Sequence, residues 1–145
     1  MKKLSLLSLI ILFLSVMSSC SEEEVPANNG GDSLSNADIR NMLESSTWSI
    51  SYMNDSGSDE TVEFANCIFK FQNDGVIEAS GASSAEGTWV LDNDSGLNIN
   101  FTTNAEFIDH LNERWDIIAV TEDEISLEHV SGGNGGTDNL YFKKN

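Results

Sequence analysis

The chain has 145 residues, 24 of them acidic and 7 basic, for a net charge of −17. A polyanion of this strength is repelled by nucleic acid and by anionic lipid head groups, so neither is an expected partner. Once an N-terminal leader and linker are set aside, about one hundred residues remain, enough for one domain with one hydrophobic core.

Lys2 and Lys3 open a leader whose apolar run, Leu4 to Met17, is shorter than the roughly 20 residues of a membrane-spanning helix. Met17-Ser18-Ser19-Cys20 resembles the lipobox of bacterial lipoproteins, where a peptidase cuts before a cysteine that carries lipid. Residues 1–19 are read as a signal peptide and Cys20 as the lipidation site, holding the mature chain to a membrane through acyl chains such as palmitate. An ordinary secretory signal with a chance cysteine is the alternative. Ser21-Glu22-Glu23-Glu24 resembles the export signal of surface-displayed lipoproteins in some Gram-negative bacteria, and equally reads as the solvated start of a tether. The expected location is the Gram-negative outer membrane, facing the cell exterior if the acidic run is such a signal.

Residues 20–37 are a lipidated, acidic, flexible tether: they contain the single proline and a Gly-Gly pair and have no apolar periodicity. A linker of this length spans on the order of 20–25 Å root-mean-square. Asp32-Ser33-Leu34 resembles a short acceptor motif for O-linked glycans, although three residues also match by chance. Residues 38–145 form the folded domain. A helix is predicted from about Asn36 to Ser45, capped by Ser35 or Asn36, with Ile39, Met42 and Leu43 on one face.

The period then changes to two. Trp48-Ser49-Ile50-Ser51-Tyr52 alternates as a half-buried strand, and Asn54 to Asp59 is a polar turn. Cys67, Phe69 and Phe71 face inward on the next strand; Asn73-Asp74-Gly75 signals a hairpin returning through Val76 to Ser80. Further strands are predicted around Trp89, Leu97 to Phe101, Trp115 to Thr121, Ile125 to His129 and Leu140 to Lys143. Thr103-x-x-Glu106 matches a capping box before a short helix bearing Phe107, Ile108 and Leu111. About eight short strands with Asn/Asp/Gly turns suit an antiparallel up-and-down barrel, since closure removes the exposed edges. An open sandwich is the alternative.

These residues resemble the lipocalin-like lipoproteins of Gram-negative bacteria, over roughly Leu43 to Asn145. The pieces are Thr47-Trp48, Phe69-x-Phe71-x-x-Asp74-Gly75, Gly87-Thr88-Trp89, Leu97-x-Ile99-x-Phe101, Asn112-x-x-Trp115-x-Ile117-Ile118 and the tail Val130 to Thr137. The resemblance implies an eight-stranded up-and-down barrel with no particular ligand. The chain departs from well-studied lipocalins in having Ser46 where the first-strand motif has glycine, and in stopping at Asn145 without a long C-terminal helix.

Catalysis has little support. His110 and His129 are the two histidines, and no G-x-S-x-G elbow is present. Asp109-His110 reads as a solvated pair and His129 as a core-facing ring beside Leu127. No set of three or four N/S ligands suggests zinc. Asp92, Asp94 and Gly96, and the patch Asp55, Asp59 and Glu60, superficially resemble hard-cation loops but read first as acidic turns. Cys67 reads as a small buried side chain. No cofactor, metal or enzymatic activity is therefore expected.

Trp48, Phe69, Phe71, Trp89, Phe101 and Trp115 read first as core. If the barrel is hollow they become the walls of a site for a small apolar or amphipathic molecule, with Tyr52 or His129 as the polar contact. Two classes stay open: a lipid-anchored barrel that binds such a ligand, or a filled barrel that contacts another envelope protein or a glycan. Interior volume separates them.

Overall fold

A computed structural model of the chain describes residues 34–145, except 82, 83, 94, 103–105 and 133–135. The leader, Cys20, the acidic run, Ser33 and the Thr103 cap lie outside the described residues. The elements are α1 (Asn36–Glu44), β1 (Thr47–Asp55), β2 (Ser58–Asp59), a 3-10 turn (Thr61–Phe64), β3 (Ile68–Phe71), β4 (Val76–Ser80), β5 (Ala85–Leu91), β6 (Gly96–Phe101), α2 (Glu106–Asp109), β7 (Arg114–Val120), β8 (Glu124–Val130) and β9 (Thr137–Lys144).

β1 and β3 to β9 form a closed eight-stranded antiparallel barrel. Each strand pairs with the next around the sheet, and β9 returns to β1, with Ile50 opposite Phe142. β2 is a two-residue extension paired to the end of β1. The expected fold class is therefore observed, including the helix before the first strand and the short helix between two late ones. The alternating pattern drives it: one face of each strand carries Trp, Phe, Ile or Leu, and these faces share a single core.

Local chemistry sets the corners. Ser35 caps α1 in a reciprocal capping box with Asp38, as its position in the sequence suggests. The β3–β4 turn needs Gly75 at a positive φ of 84°, where a side chain would be strained. At Gly87, a Cβ would stand 2.4 Å from the Asn100 carbonyl oxygen, so glycine lets β5 and β6 approach. Ser56 and Gly57, both at positive φ, make the two-residue turn between β1 and β2.

One register expectation fails. Strict alternation from Trp48 would put Tyr52 inside with Ile50. A bulge between Ile50 and Tyr52 in the pairing with β9 reverses the alternation. Met53 becomes the buried residue, and Tyr52 lies half-buried on the outer face beside Tyr141, ring centroids 5.2 Å apart. A second bulge, between Ile117 and Ala119, leaves Ile117 half-buried against the core.

Candidate functional site

The barrel interior is packed solid around the predicted wall residues. Trp48, Phe69, Phe71, Trp115 and Phe142 have no exposed surface, and Trp89 and Phe101 have 1% and 3%. A void wide enough for water would leave accessible surface on its walls, so none borders these side chains. Phe71 meets Trp89 edge-to-face at 5.4 Å and Phe142 at 5.5 Å, and Phe69 meets Phe142 at 5.4 Å. Such pairs fill space with favourable quadrupole geometry. Each tryptophan also satisfies its indole N–H on a main-chain carbonyl: Trp48 on Leu43, Trp89 on Gln72, Trp115 on Leu111.

His129, at the end of the inward row of β8, lies against the Trp115 ring. Its Nδ1 donates to the Arg114 carbonyl at 3.0 Å, and Nε2 stands 3.6 Å from a Glu113 carboxylate oxygen. Among the predicted interior contacts, Tyr52 is outside, His129 is at the rim, and the six large aromatics belong to one buried core, in which Phe69 meets Phe101 and Phe71 meets Trp89.

The polar chemistry collects at one barrel mouth. The 3-10 turn, α2 and the turn after α2 cover this mouth, inserting Phe64, Ile108 and Leu111, all fully buried or nearly so. Thr61 positions the turn by accepting from Met53 N and donating to Met53 O. Asn112 fixes the chain after α2 by pairing its side-chain amide with both main-chain groups of Phe101, as a neighbouring strand would. These anchors bring His110 onto the β1–β2 hairpin.

His110 Nδ1 lies 2.7 Å from Asp55 Oδ2 and 3.5 Å from Glu60 Oε2. Its partner is thus Asp55, fifty-five residues earlier, and the solvated pairing with Asp109 is not formed. Desolvation of the ring opposes protonation, but the hydrogen bond to Asp55 and the charges of Glu60, Asp55 and Glu63 outweigh it and raise the His110 pKa above the ordinary histidine value. The hydrogen bond from His110 is also the main reason that the Asp55 pKa is lowered.

The Nδ1–H points at Asp55, and one proton cannot serve two acceptors. Glu60 Oε2 is occluded from solvent and has no hydrogen-bond donor among the described residues. The three ligand-type atoms of Asp55, Glu60 and His110 lie within 4.8 Å of one another, the arrangement at this mouth able to hold a metal ion.

Two clefts flank His110. One of about 440 Å³ is lined by Met53, Asp55, Asp109, Glu113, Ser131 and Asp138; the other, of about 740 Å³, by Glu60, Glu63 and Phe107. No lysine or arginine is among these described lining residues. Asp138, the buried charged residue of the described core, accepts from Ser56 N at 2.7 Å and from the hydroxyls of Ser56 and Ser131.

In the sequence Asp55 and Glu60 belong to an acidic turn, and His110 stands apart from them. Only the fold unites them, and no spacing rule connects positions 55 and 110. The Asp92–Gly96 turn is a structural corner: Asp92 accepts from Gly96 N and from Arg114 Nε. Cys67 is buried, and burial raises its thiol pKa.

No family model matches the chain, and no curated protein matches it. The fold is similar to the crystal structure of a DUF4847 family protein from Bacteroides vulgatus, with a TM-score of 0.53 and 20% sequence identity over 74% of this chain and 97% of that one. At this identity, the likeness is one of fold.

Proposed function

We propose that this protein is a lipid-anchored, non-enzymatic lipoprotein of the Gram-negative cell envelope, similar to the lipocalin-like lipoproteins, whose barrel works through its acidic mouth as an interaction surface. The observation that carries this reading is the packed interior: the aromatic residues that would line a carrier's cavity have essentially no accessible surface. A useful small-molecule pocket needs about 300 Å³ or more, and among the described residues these aromatic side chains have too little accessible surface to line one. The mouth, by contrast, gathers Asp55, Glu60, Glu63, Asp109 and Glu113 around open clefts. Its complement is a basic face on another envelope protein.

Cys20→Ser should release the protein from the membrane or leave it unprocessed, since stable anchoring needs more than one acyl chain. In living host cells, a photo-crosslinking residue at exposed Glu63 should capture a discrete protein, whereas one at Glu78 on the barrel side should not. Native mass spectrometry should find the barrel free of cargo. An equimolar fatty acid, sterol or other apolar molecule, released by lipid extraction and shifting tryptophan emission on rebinding, would overturn this reading in favour of a small-ligand carrier. A saccharide captured at the mouth would replace the protein partner with a glycan.

A further inference from the structure

We infer that Asp55, Glu60 and His110 form a binding site for a divalent first-row transition ion of the Zn²⁺ type. The inference goes beyond the interaction-surface reading and does not depend on it.

The argument begins with the unequal treatment of two carboxylates. His110 Nδ1 can send one proton along one line, and Asp55 receives it at 2.7 Å. Glu60 Oε2 faces the same nitrogen at 3.5 Å, shielded from water and without a donor. A shielded carboxylate oxygen without a donor is costly. A metal ion resolves the conflict because it takes lone pairs from all three groups at once. With metal–ligand bonds of about 2.0–2.2 Å, tetrahedral ligand atoms stand roughly 3.4 Å apart. The His110–Glu60 separation already matches. Asp55 would draw back from His110 by less than an ångström once the bridging proton leaves for solvent, and the Asp55 and Glu60 oxygens, within 4.8 Å of each other, would close in by about 1.4 Å or less.

The donor set selects the metal. One imidazole nitrogen with two carboxylates suits Zn²⁺ and its first-row neighbours. Ca²⁺ and Mg²⁺ prefer shells of oxygen alone, with six or more ligands. The surroundings favour a cation of either type, since Glu63, Asp109, Glu113 and Asp138 line the same two clefts and no basic side chain among the described lining residues competes. Those clefts leave the remaining coordination positions open to water. The scaffold is firm on each side: Thr61 ties the hairpin end to Met53, and Asn112 ties the chain after His110 to β6.

The test uses the full chain, purified from membranes in mild detergent and stripped with a chelator. Isothermal titration with Zn²⁺ should show one equivalent binding, and Ca²⁺ in excess should not compete. Both Glu60→Gln and His110→Ala should weaken Zn²⁺ binding by about ten-fold or more, a loss of one ligand's discrimination. Glu122→Gln, an exposed carboxylate distant in sequence from the hairpin, should leave it unchanged. Glu60→Gln preserves side-chain shape, so the result stands even if His110→Ala fails to fold. Absence of Zn²⁺ binding, equal affinity in wild type and Glu60→Gln, or full displacement by Ca²⁺ would each overturn the inference; the last two would indicate diffuse attraction to a polyanion.

Discussion

The two ends of the barrel are closed by the same device and finished with different chemistry. At one end α1 buries Ile39 and Leu43, and the Trp48 indole donates to the Leu43 carbonyl at 3.0 Å. At the other, α2 and the residues after it bury Ile108 and Leu111, and the Trp115 indole donates to the Leu111 carbonyl at 3.1 Å. In each case a short helical piece plugs the barrel and a core tryptophan satisfies the carbonyl that the helix leaves unpaired. The rims then diverge. Around α1, charges alternate in sign: Arg40 pairs with Glu44 and stacks 4.6 Å over the Trp89 ring, and Lys70 and Glu44 share a cleft. Around α2, carboxylates converge on His110 without a lysine or arginine among the described lining residues. The two mouths thus share an apolar closure and differ in what surrounds it: paired charges at α1, and carboxylates gathered on one histidine at α2.

If the plugs are equivalent, core truncations at the two ends should cost alike. Trp48→Ala and Trp115→Ala should each lose about 3–5 kcal/mol in urea melts. Leu43→Ala and Leu111→Ala should each lose about 2–5 kcal/mol. A loss at Leu111 far below that at Leu43 would break the symmetry and make α2 a movable lid. Smaller again is Ser35→Ala, which removes the α1 N-cap and should lower stability by about 1 kcal/mol. No described side chain plays this part at α2, so the cap sharpens the difference between the ends.

The smallest effect is a slope. With chelator present, the charged His110–Asp55 pair contributes stability that is fully present below the ordinary histidine pKa of about 6.5. That contribution is lost as pH rises through the raised folded value. On the acid side the lowered Asp55 pKa contributes stability above about pH 4, lost as pH falls through the folded value. His110→Gln should flatten the alkaline decline measured by thermal melts between about pH 6 and 9. An unchanged slope would place the pair's charge elsewhere.

Much of the barrel was written in local pattern. Alternation at Phe69 and Phe71, at Leu97, Ile99 and Phe101, and at Leu140 and Phe142 set which faces turn inward, because a strand has only two faces. Asn73-Asp74-Gly75 marked a hairpin, and Ser35 with Asp38 marked a helix start, because those backbone shapes require those side chains. The 3-10 turn at Thr61–Phe64 has no local signature: one turn is too short to show a period.

The sequence by itself determined an all-β chain of about eight antiparallel strands with an acidic surface, since propensity, turn chemistry and charge are properties of neighbouring residues. Tertiary structure alone decided that the interior is filled, that the Ser51 bulge turns Tyr52 outward and Met53 inward, and that His110 meets Asp55 rather than Asp109. Each of those depends on the register and closure of strands far apart in the chain, and a one-residue shift in pairing, invisible to local pattern, exchanges the inside of a barrel for its outside.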